Sequence, residues 1–525
     1  MRASKIRAVP QRGEIKRFAS DFLCIVERQI AMDRLSQARP RKEGVKSRRN
    51  KALYRYHRYL LLLTSISFLY PVCLATSAEI VRLKSDQDVT GIVSSAPAGT
   101  TFVFSPGTYR MQSIVPKDND VFRGEGVVIL NGSKLLEMHP DNGLWSADEA
   151  RAKWNLGKCE KGYPLCWMLN DLFIDDQVQT PVEAITELGP GRWFYDDSAG
   201  KIYISTNPLG HKVEFGETPA AFSGTANGVK INHLIVEKYA SPPQRGAIGG
   251  DGAAGQTPSW TVMNSEVRWN HGTGIQLGSN AHVDSCHIHD NGQKGLGSRG
   301  SSVLIENNEI ARNNFAGYDT SWEAGGTKFI KTENLTVRSN YIHDNLGNGL
   351  WTDTDNFHTL YERNKVTDNT IVGIQHEISY DAVIRNNFVK GNHLGILVAN
   401  SSNVEVYGNV VEVPINGTEG IRISNGQRGA GKYGPYVGHD NHIHNNMVIY
   451  LGSKGYSGLT GDLTTATGNT FDSNDYHLVG GGDDHWIWSS PKTIAAMRQM
   501  GMEQHGTITK ILPVVPDPTH TDRPK

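Results

Sequence analysis

The sequence predicts an all-β protein wound as a solenoid of parallel rungs, and three observations predict it. From about Trp260 to Asn446 the chain repeats itself at about 22 residues, with longer repeats where loops intervene. Each repeat carries an asparagine at a fixed turn position, and each then enters a short glycine-led segment. Those segments alternate apolar and polar residues, which is the period of a strand and not of a helix. A repeat of this length with turn residues and few helix signals is a solenoid signature. The chain has 525 residues, a length that ordinarily implies several domains, but a stack of repeats escapes that expectation.

Aligned, the repeats share one frame: a polar residue, any residue, Ile or Val, then an asparagine three further on. The first position is Ser265, Cys286, Asn308, Asn340, Asn364, Asn387, Asn409 and Asn446. The second asparagine is Asn270, Asn291, Asn313, Asn345, Asn369 and Asn392. After it comes "GIQLG" at 274, "GLGSR" at 295, "GYDTS" at 317, "GLWTD" at 349, "GIQHE" at 373, "GILVA" at 395 and "GIRIS" at 420. Recurrent asparagine at a turn suits an internal ladder, because its amide bonds backbone groups of adjacent rungs and asparagine tolerates the left-handed conformation. Cys286 occupies a ladder position and reads as a buried small residue, not a nucleophile.

With its turn asparagines and rung length, the chain resembles the right-handed parallel β-helices of the pectin-lyase-like superfamily over about residues 79–510. The segment 97–126 is similar to the opening rungs of such proteins, and "GRWFYDDSAGKIYIS" at 191–205 to a β-hairpin insertion, placed within 139–220. Residues 260–450 hold the regular rungs, and "WIWSSPKTIAAMRQMGMEQHG" reads as a short helical closure of the last. The superfamily includes lyases, hydrolases, epimerases and non-catalytic adhesins, so the fold does not choose among them.

The net charge of −1 gives no bulk attraction for nucleic acid. Residues 1–58 form a basic extension, disordered or untranslated with Met32 as an alternative start, and 511–525 a disordered tail. Within 59–78, the apolar run Leu60–Leu74 with small residues after it reads as a signal peptide cleaved near Ala78, which implies a secreted or periplasmic protein. An uncleaved anchor is the alternative, but the run falls short of the roughly 20 residues of a span. No membrane association is expected after cleavage, and no unusually apolar outer face suggests more than a monomer. Cys24 and Cys73 lie in the removed part, and Cys159 and Cys166 can close a small loop in an oxidising compartment.

The candidate site rests on stacking. In the glycine-led strand the first and third residues after glycine, such as Ile275 and Leu277, should point inward, and the second and fourth outward. The outward set then includes Trp351 and Asp353, Gln375 and Glu377 one rung on, Asp355 beyond, and Arg299 and Arg422 on other rungs. His376 falls inward as a core histidine. Rungs stack about 4.8 Å apart, which places the Asp353 and Glu377 carboxylates roughly 5 Å from each other. Two uncompensated acids that close should push one pKa up, and the spacing suits a retaining glycosidase. The spacing from Asn308 to Asn340 is 32, so an inserted loop should bring Trp322, Glu323 and Lys328 beside this column. Trp322 and Trp351 could stack on sugar faces.

The leading expectation is therefore a glycoside hydrolase acting on a polysaccharide or oligosaccharide, with Asp353 and Glu377 as the working pair and Glu323 or Asp355 as alternates. Such an enzyme needs no cofactor. A polysaccharide lyase or uronate epimerase is the alternative, with Lys328 as base or stabiliser and Ca2+ held by the acids. A non-catalytic glycan-binding β-helix is the third. Acids outnumber cations in this reading of the cleft, which favours hydrolysis. The paired-Asp, Gly-His-Gly and Arg-x-Lys pattern of polygalacturonases is missing, as is the arginine and calcium pattern of pectate lyases. His287, His289 and His343 form no metal constellation that spacing alone supports, and no metal ligand set is assigned.

Overall fold

The computed structural model describes residues 79–152, 157–252 and 254–511. The expected basic extension, signal peptide and tail therefore lie outside the described residues, apart from Ile511. Among those described, no helix is long and apolar enough to cross a membrane.

Each rung contributes up to three strands to three parallel faces, two of which join through the long strand Gly325–Arg338 into one 24-stranded sheet while the third is a 13-stranded sheet. In one full rung Leu350–Asp353 lies on the glycine-led sheet, Phe357–Glu362 on a second sheet and Lys365–Thr367 on a third. The next rung repeats this order with Val372–Glu377, Tyr380–Arg385 and Phe388–Lys390. Pairing is parallel and in register from rung to rung, as in Val366↔Val389 and Tyr361↔Ile384. The inward side chains form continuous apolar stacks; Ile288, Ile310, Ile342, Val366 and Val389 on the third sheet are all fully buried.

Two asparagine ladders hold the register. In the first, Asn308, Asn340, Asn364, Asn387, Asn409, Asn446 and Asn474 follow one another, and each Oδ1 accepts the backbone N–H of the preceding member. Each Nδ2 also donates to the next Oδ1 and to a carbonyl of the rung before, at about 3 Å, as for Asn364. The second runs Asn270, Asn291, Asn313, Asn345, Asn369, Asn392 with the same bonds. A third corner, built from Thr332, Asn356, Ser379 and Ser401, follows the same logic with hydroxyls mixed in. The left-handed residue is not the ladder asparagine, as expected from sequence, but the one before it: Asp290, Arg312, Asp344 and Asp368 all have φ between 50° and 58°. That bend turns the following side chain inward, where the asparagine is needed as a bonding group and not for its backbone tolerance.

The leading glycine also has a physical reason, and it is space. A Cβ at Gly349 would meet the carbonyl oxygen of Gly373 at 2.7 Å and the Asn369 amide at 2.9 Å. Gly373 is enclosed in the same way by Gly395 and Asn392. This corrects the register of one rung. "GYDTS" at 317 is not its strand; residues 314–324 form the inserted loop, and the strand Gly325–Arg338 begins beyond it. Gly326 takes the crowded position, where a methyl would meet the Gly349 carbonyl oxygen at 2.7 Å and the Asn345 amide at 3.0 Å.

The insertion spans Ser133–Gly216 and forms two small sheets, one antiparallel and one mixed, over a core of Leu172, Trp193, Ile202 and Phe215. Its hairpin pairs Arg192–Asp196 with Lys201–Ile204. The helix Val89–Ser95, capped by the Asp88 carboxylate on Gly91 N–H, packs at the start of the body, and the helix Ile494–Gln499 buries Met497 at its end. Glu503 closes the first ladder, accepting from Asn474 and Tyr476 in the place of another asparagine.

Cys286 is buried, its thiol is pushed up to about 12 by burial, and its backbone N–H bonds Asn308 Oδ1 at 2.9 Å. It therefore sits in the ladder without completing it. Cys286→Asn should extend the ladder by one amide and raise stability by about 1 kcal/mol, read as a higher urea midpoint. A lowered midpoint would mean that the site cannot accept the amide.

Candidate functional site on the glycine-led sheet

The outer surface of the glycine-led sheet is largely covered, so its outward side chains form the floor of an enclosed region. Asp353 and Glu377 are register partners on adjacent strands, as are Trp351 and Gln375. The column containing Trp351 and Gln375 continues through Leu397 to Arg422, and the column of Asp353 and Glu377 continues to Ala399. Val372, Leu394, Leu397 and Ala399 make a small apolar patch beside the acids. With the corrected register, Lys328 is the second residue after Gly326 and so joins the outward set that holds Trp351 and Gln375.

Each acid has a cation. Lys328 Nζ lies 2.8 Å from Asp353 Oδ2, 3.5 Å from Glu323 Oε1 and 3.8 Å from the centre of the Trp351 ring. Glu377 Oε1 accepts from Arg428 at 3.0 Å, while its Oε2 accepts from Trp351 Nε1 at 3.2 Å and Gln375 Nε2 at 2.7 Å. The expected pair of uncompensated like charges is therefore not present. Cations are more numerous than expected: Lys294, Lys328, Arg422 and Arg428 stand against Glu323, Asp353, Glu377 and Glu419, while Lys432 faces Glu333 and Asp355. Trp351 is 2% exposed; in place of an open sugar platform it is a buried link between Lys328 and Glu377.

Glu323 is enclosed between Lys294 and Lys328. Burial alone would raise its carboxyl, but the two ammonium groups hold it below the usual carboxylate range. Lys294 is itself lowered, first by burial. Glu323 is thus the centre of a buried charge cluster and not a free alternate acid. Trp322 presents its carbonyl oxygen to Lys328 at 2.5 Å, and its ring packs toward Tyr318 beside the Cys159–Cys166 disulfide, whose Cα atoms are 5.5 Å apart. Behind it, His271 lies 2.9 Å from Tyr318 Oη and 3.1 Å from Asp171, tying the insertion to the rungs.

On the other side a hairpin spanning residues 428–436 crosses the acids. Asp355 Oδ1 accepts from Lys432 N–H and Tyr436 Oη, both at 2.8 Å, so Asp355 anchors this hairpin and is not placed to act as an alternate acid. Glu333 binds Lys432 Nζ at 2.6 Å and also takes the Tyr433 hydroxyl. Tyr433 stacks on Phe357 with ring centres 4.6 Å apart. Arg299 lies at a register shift between Ser298 and Gly300, away from the regular columns. Arg422 pairs with Glu419 at 2.5 Å, and burial raises the Glu419 carboxyl. His376 is core as expected: Thr352 Oγ1 is 2.7 Å from Nδ1, and burial pushes the imidazole down to about 3.

Sequence reasoning missed Lys294, Arg428, Glu333 and Glu419. A signal existed for Arg428: the ladder separation from Asn409 to Asn446 is 37 residues, as abnormal as the 32 that revealed the other loop. Lys294 carries no such mark, because it opens the strand Lys294–Ser301 in a rung of normal spacing.

Removing Glu323 should be costly because it leaves two buried ammonium groups facing each other. Glu323→Gln is expected to lower stability at pH 7 by about 3–5 kcal/mol, measured by urea denaturation. The folded-state pKa of this carboxyl is depressed, so its contribution is complete above the unfolded value of about 4.3 and is lost as pH falls through the folded value. The variant should accordingly lose less stability than wild type across that acid range.

The comparisons fit this architecture. Residues 248–411 match the family model described as a right handed beta helix region. No curated protein sequence matches the chain. Among solved structures, the complex of XylC with xylose aligns at 15% identity and a TM-score of 0.63, covering 81% of this chain and 83% of that one. The A-module of the Azotobacter vinelandii mannuronan C-5 epimerase AlgE6 aligns at 13% identity and a TM-score of 0.46, covering 81% and 93%. Matched rungs, ladders and corners together make this chain a right-handed parallel β-helix.

Proposed function

We propose that this protein is a secreted or periplasmic carbohydrate-active enzyme that hydrolyses a polysaccharide at Asp353 and Glu377. The observation that carries the reading is their in-register pairing as two partly exposed carboxylates on an otherwise buried floor. Rung spacing of about 4.8 Å sets them at the separation of retaining glycosidases, roughly 5–5.5 Å. In this reading Asp353, fixed by Lys328, attacks the anomeric carbon. Glu377, oriented by Trp351 and Gln375, gives its proton to the leaving oxygen and later takes one from the water that attacks the anomeric carbon and displaces the Asp353 carboxylate. Arg428 must leave Glu377 first, and its place on a half-exposed loop allows that. The apolar patch of Leu394, Leu397 and Val372 offers a surface for the C–H face of a sugar. A sugar ligand also accords with the XylC neighbour, which holds xylose. No cofactor is required.

A second reading has its own observation. Lys294, Lys328 and Arg428 among the acids suit a substrate that brings its own carboxylate. A polysaccharide lyase or uronate epimerase would use such cations to stabilise the charge that develops when the proton α to the uronate carboxyl is removed. Asp353 and Glu377 could then hold Ca2+. A glycan-binding protein without chemistry is the remaining alternative.

A polysaccharide panel separates them, following reducing ends and the ultraviolet absorbance of unsaturated uronates with and without chelator. Hydrolysis predicts reducing ends without absorbance, unaffected by chelator, and reduced at least about 100-fold in Asp353→Asn and Glu377→Gln, the scale of losing an acid–base group. Absorbance abolished by chelator would replace hydrolysis with elimination. Turnover undiminished in both variants would remove these residues from the chemistry.

A further inference from the structure

On the third sheet, far along the chain from the acids just described, the segment "HIHD" at 287–290 projects two histidines from one strand. Residues two apart point the same way, and the His287 and His289 rings stack with centres 3.9 Å apart. The rung before supplies Glu266, the register partner of His287, and the rung after supplies Glu309 in the same column. Ligand atoms of Glu266, His287 and His289 all lie within 4.8 Å of one another. His289 Nε2 is 3.1 Å from Glu266 Oε1, and His287 Nε2 is 3.8 Å from Glu309 Oε1. Four donors around a tetrahedral ion with bonds of about 2.0–2.1 Å would be separated by roughly 3.3 Å, between those two distances.

We propose that Glu266, His287 and His289 form the core of a Zn2+ site, and that Glu309 of the rung after, 3.8 Å from His287 Nε2, swings in as the fourth ligand so that the ion clips three successive rungs together. Three further features support it. His287 Nε2 is enclosed yet has no hydrogen-bond partner, whereas buried polar atoms normally have one. His289 Nδ1 lies 2.6 Å from Asp290 Oδ2, the carboxylate–histidine arrangement that turns Nε2 toward a metal, here on the side of Glu266 Oε1. The surrounding carboxylates, Glu237, Glu266, Asp290, Glu309 and Asp344, outnumber Arg268 and Arg312. Arg268 also touches Glu266 at 2.5 Å, but it holds Glu237 through two bonds of 2.8 and 2.9 Å and can release Glu266 without losing its partner. Two imidazoles with carboxylates suit Zn2+, while Ca2+ would ask for six or more oxygens. Glu309 is shared, since His343 Nε2 lies 3.0 Å from it.

The test is titration of the chelator-stripped full-length protein with Zn2+ against a chromogenic zinc indicator. A parallel titration with Co2+ reports four-coordinate geometry by its intense visible absorption. One equivalent of tightly held Zn2+ is expected, with the four-coordinate Co2+ spectrum. His287 is partly exposed, so His287→Ala should fold, checked by an unchanged metal-free urea midpoint. It should weaken binding by about 100-fold or more, beyond the 10–100-fold of a second-shell change; Glu309→Gln should weaken it less. Absence of stoichiometric binding, binding unchanged in either variant, or loss instead in His282→Ala, from another histidine–carboxylate group on the second sheet, would overturn the site.

Discussion

The buried asparagine amide is the group on which this architecture turns. Each one has two donors and two acceptor positions, and in the ladder it uses them on the rung before and the rung after. Asn364 donates to Val337 O and Asn387 Oδ1, and accepts from Asn340 twice. A slip of one residue in any rung would strand both sides of that exchange in an apolar interior, at the cost of a buried unsatisfied group each time. Register is therefore fixed along the whole stack. Only because it is fixed can residues 24 apart in sequence, such as Asp353 and Glu377, become neighbours on one face.

Electrostatic compensation is the second theme. Acids and bases on the outer faces are interleaved, so that Lys328 serves Asp353 and Glu323 together while Arg428 reaches Glu377 from a distant loop. Parallel stacking would otherwise place like charges in columns. The chain meets this by alternating sign along a column, as in Glu306, Arg338, Glu362 and Arg385 on the second sheet, and by setting Lys328 of one column against Asp353 of the next. The hairpin near Tyr433 is held by carboxylates of the rungs it covers, Glu333 and Asp355, together with an aromatic cluster of Phe357, Tyr380, Tyr433 and Tyr436. Its grip on the floor is therefore partly polar and partly apolar.

What could be read from sequence follows from what repeats. The ladder, the inward stacks, the outward pairing of Asp353 with Glu377 and the core position of His376 all depend on periodicity, and all were legible. The left-handed bend was assigned one residue late, because asparagine's known tolerance for it hid the fact that Asp290, Asp344 and Arg312 make the turn. The strand at Gly325 was misplaced because Gly317 mimics a leading glycine, while the crowding that requires one exists only at Gly326. For Arg428 the sequence marks only an inserted loop, through the 37 residues between Asn409 and Asn446, and not where it lands; the fate of Trp351 leaves no mark. Both depend on where long loops return, and loop length sets no register.

A stack of this kind has two ends, each a row of strand groups able to pair with another chain. At the start, the helix Val89–Ser95 packs its apolar residues Val89 and Val93 into the core. At the other end Trp486–Trp488 turns back antiparallel through Ser490–Lys492, and Glu503 puts an acceptor with no amide donor where an asparagine would have passed the pattern on. A carboxylate can receive from the rung behind but offers nothing to a rung ahead. The first ladder's own chemistry thus contains a stop: beyond Glu503, among the described residues, no amide passes the pattern on.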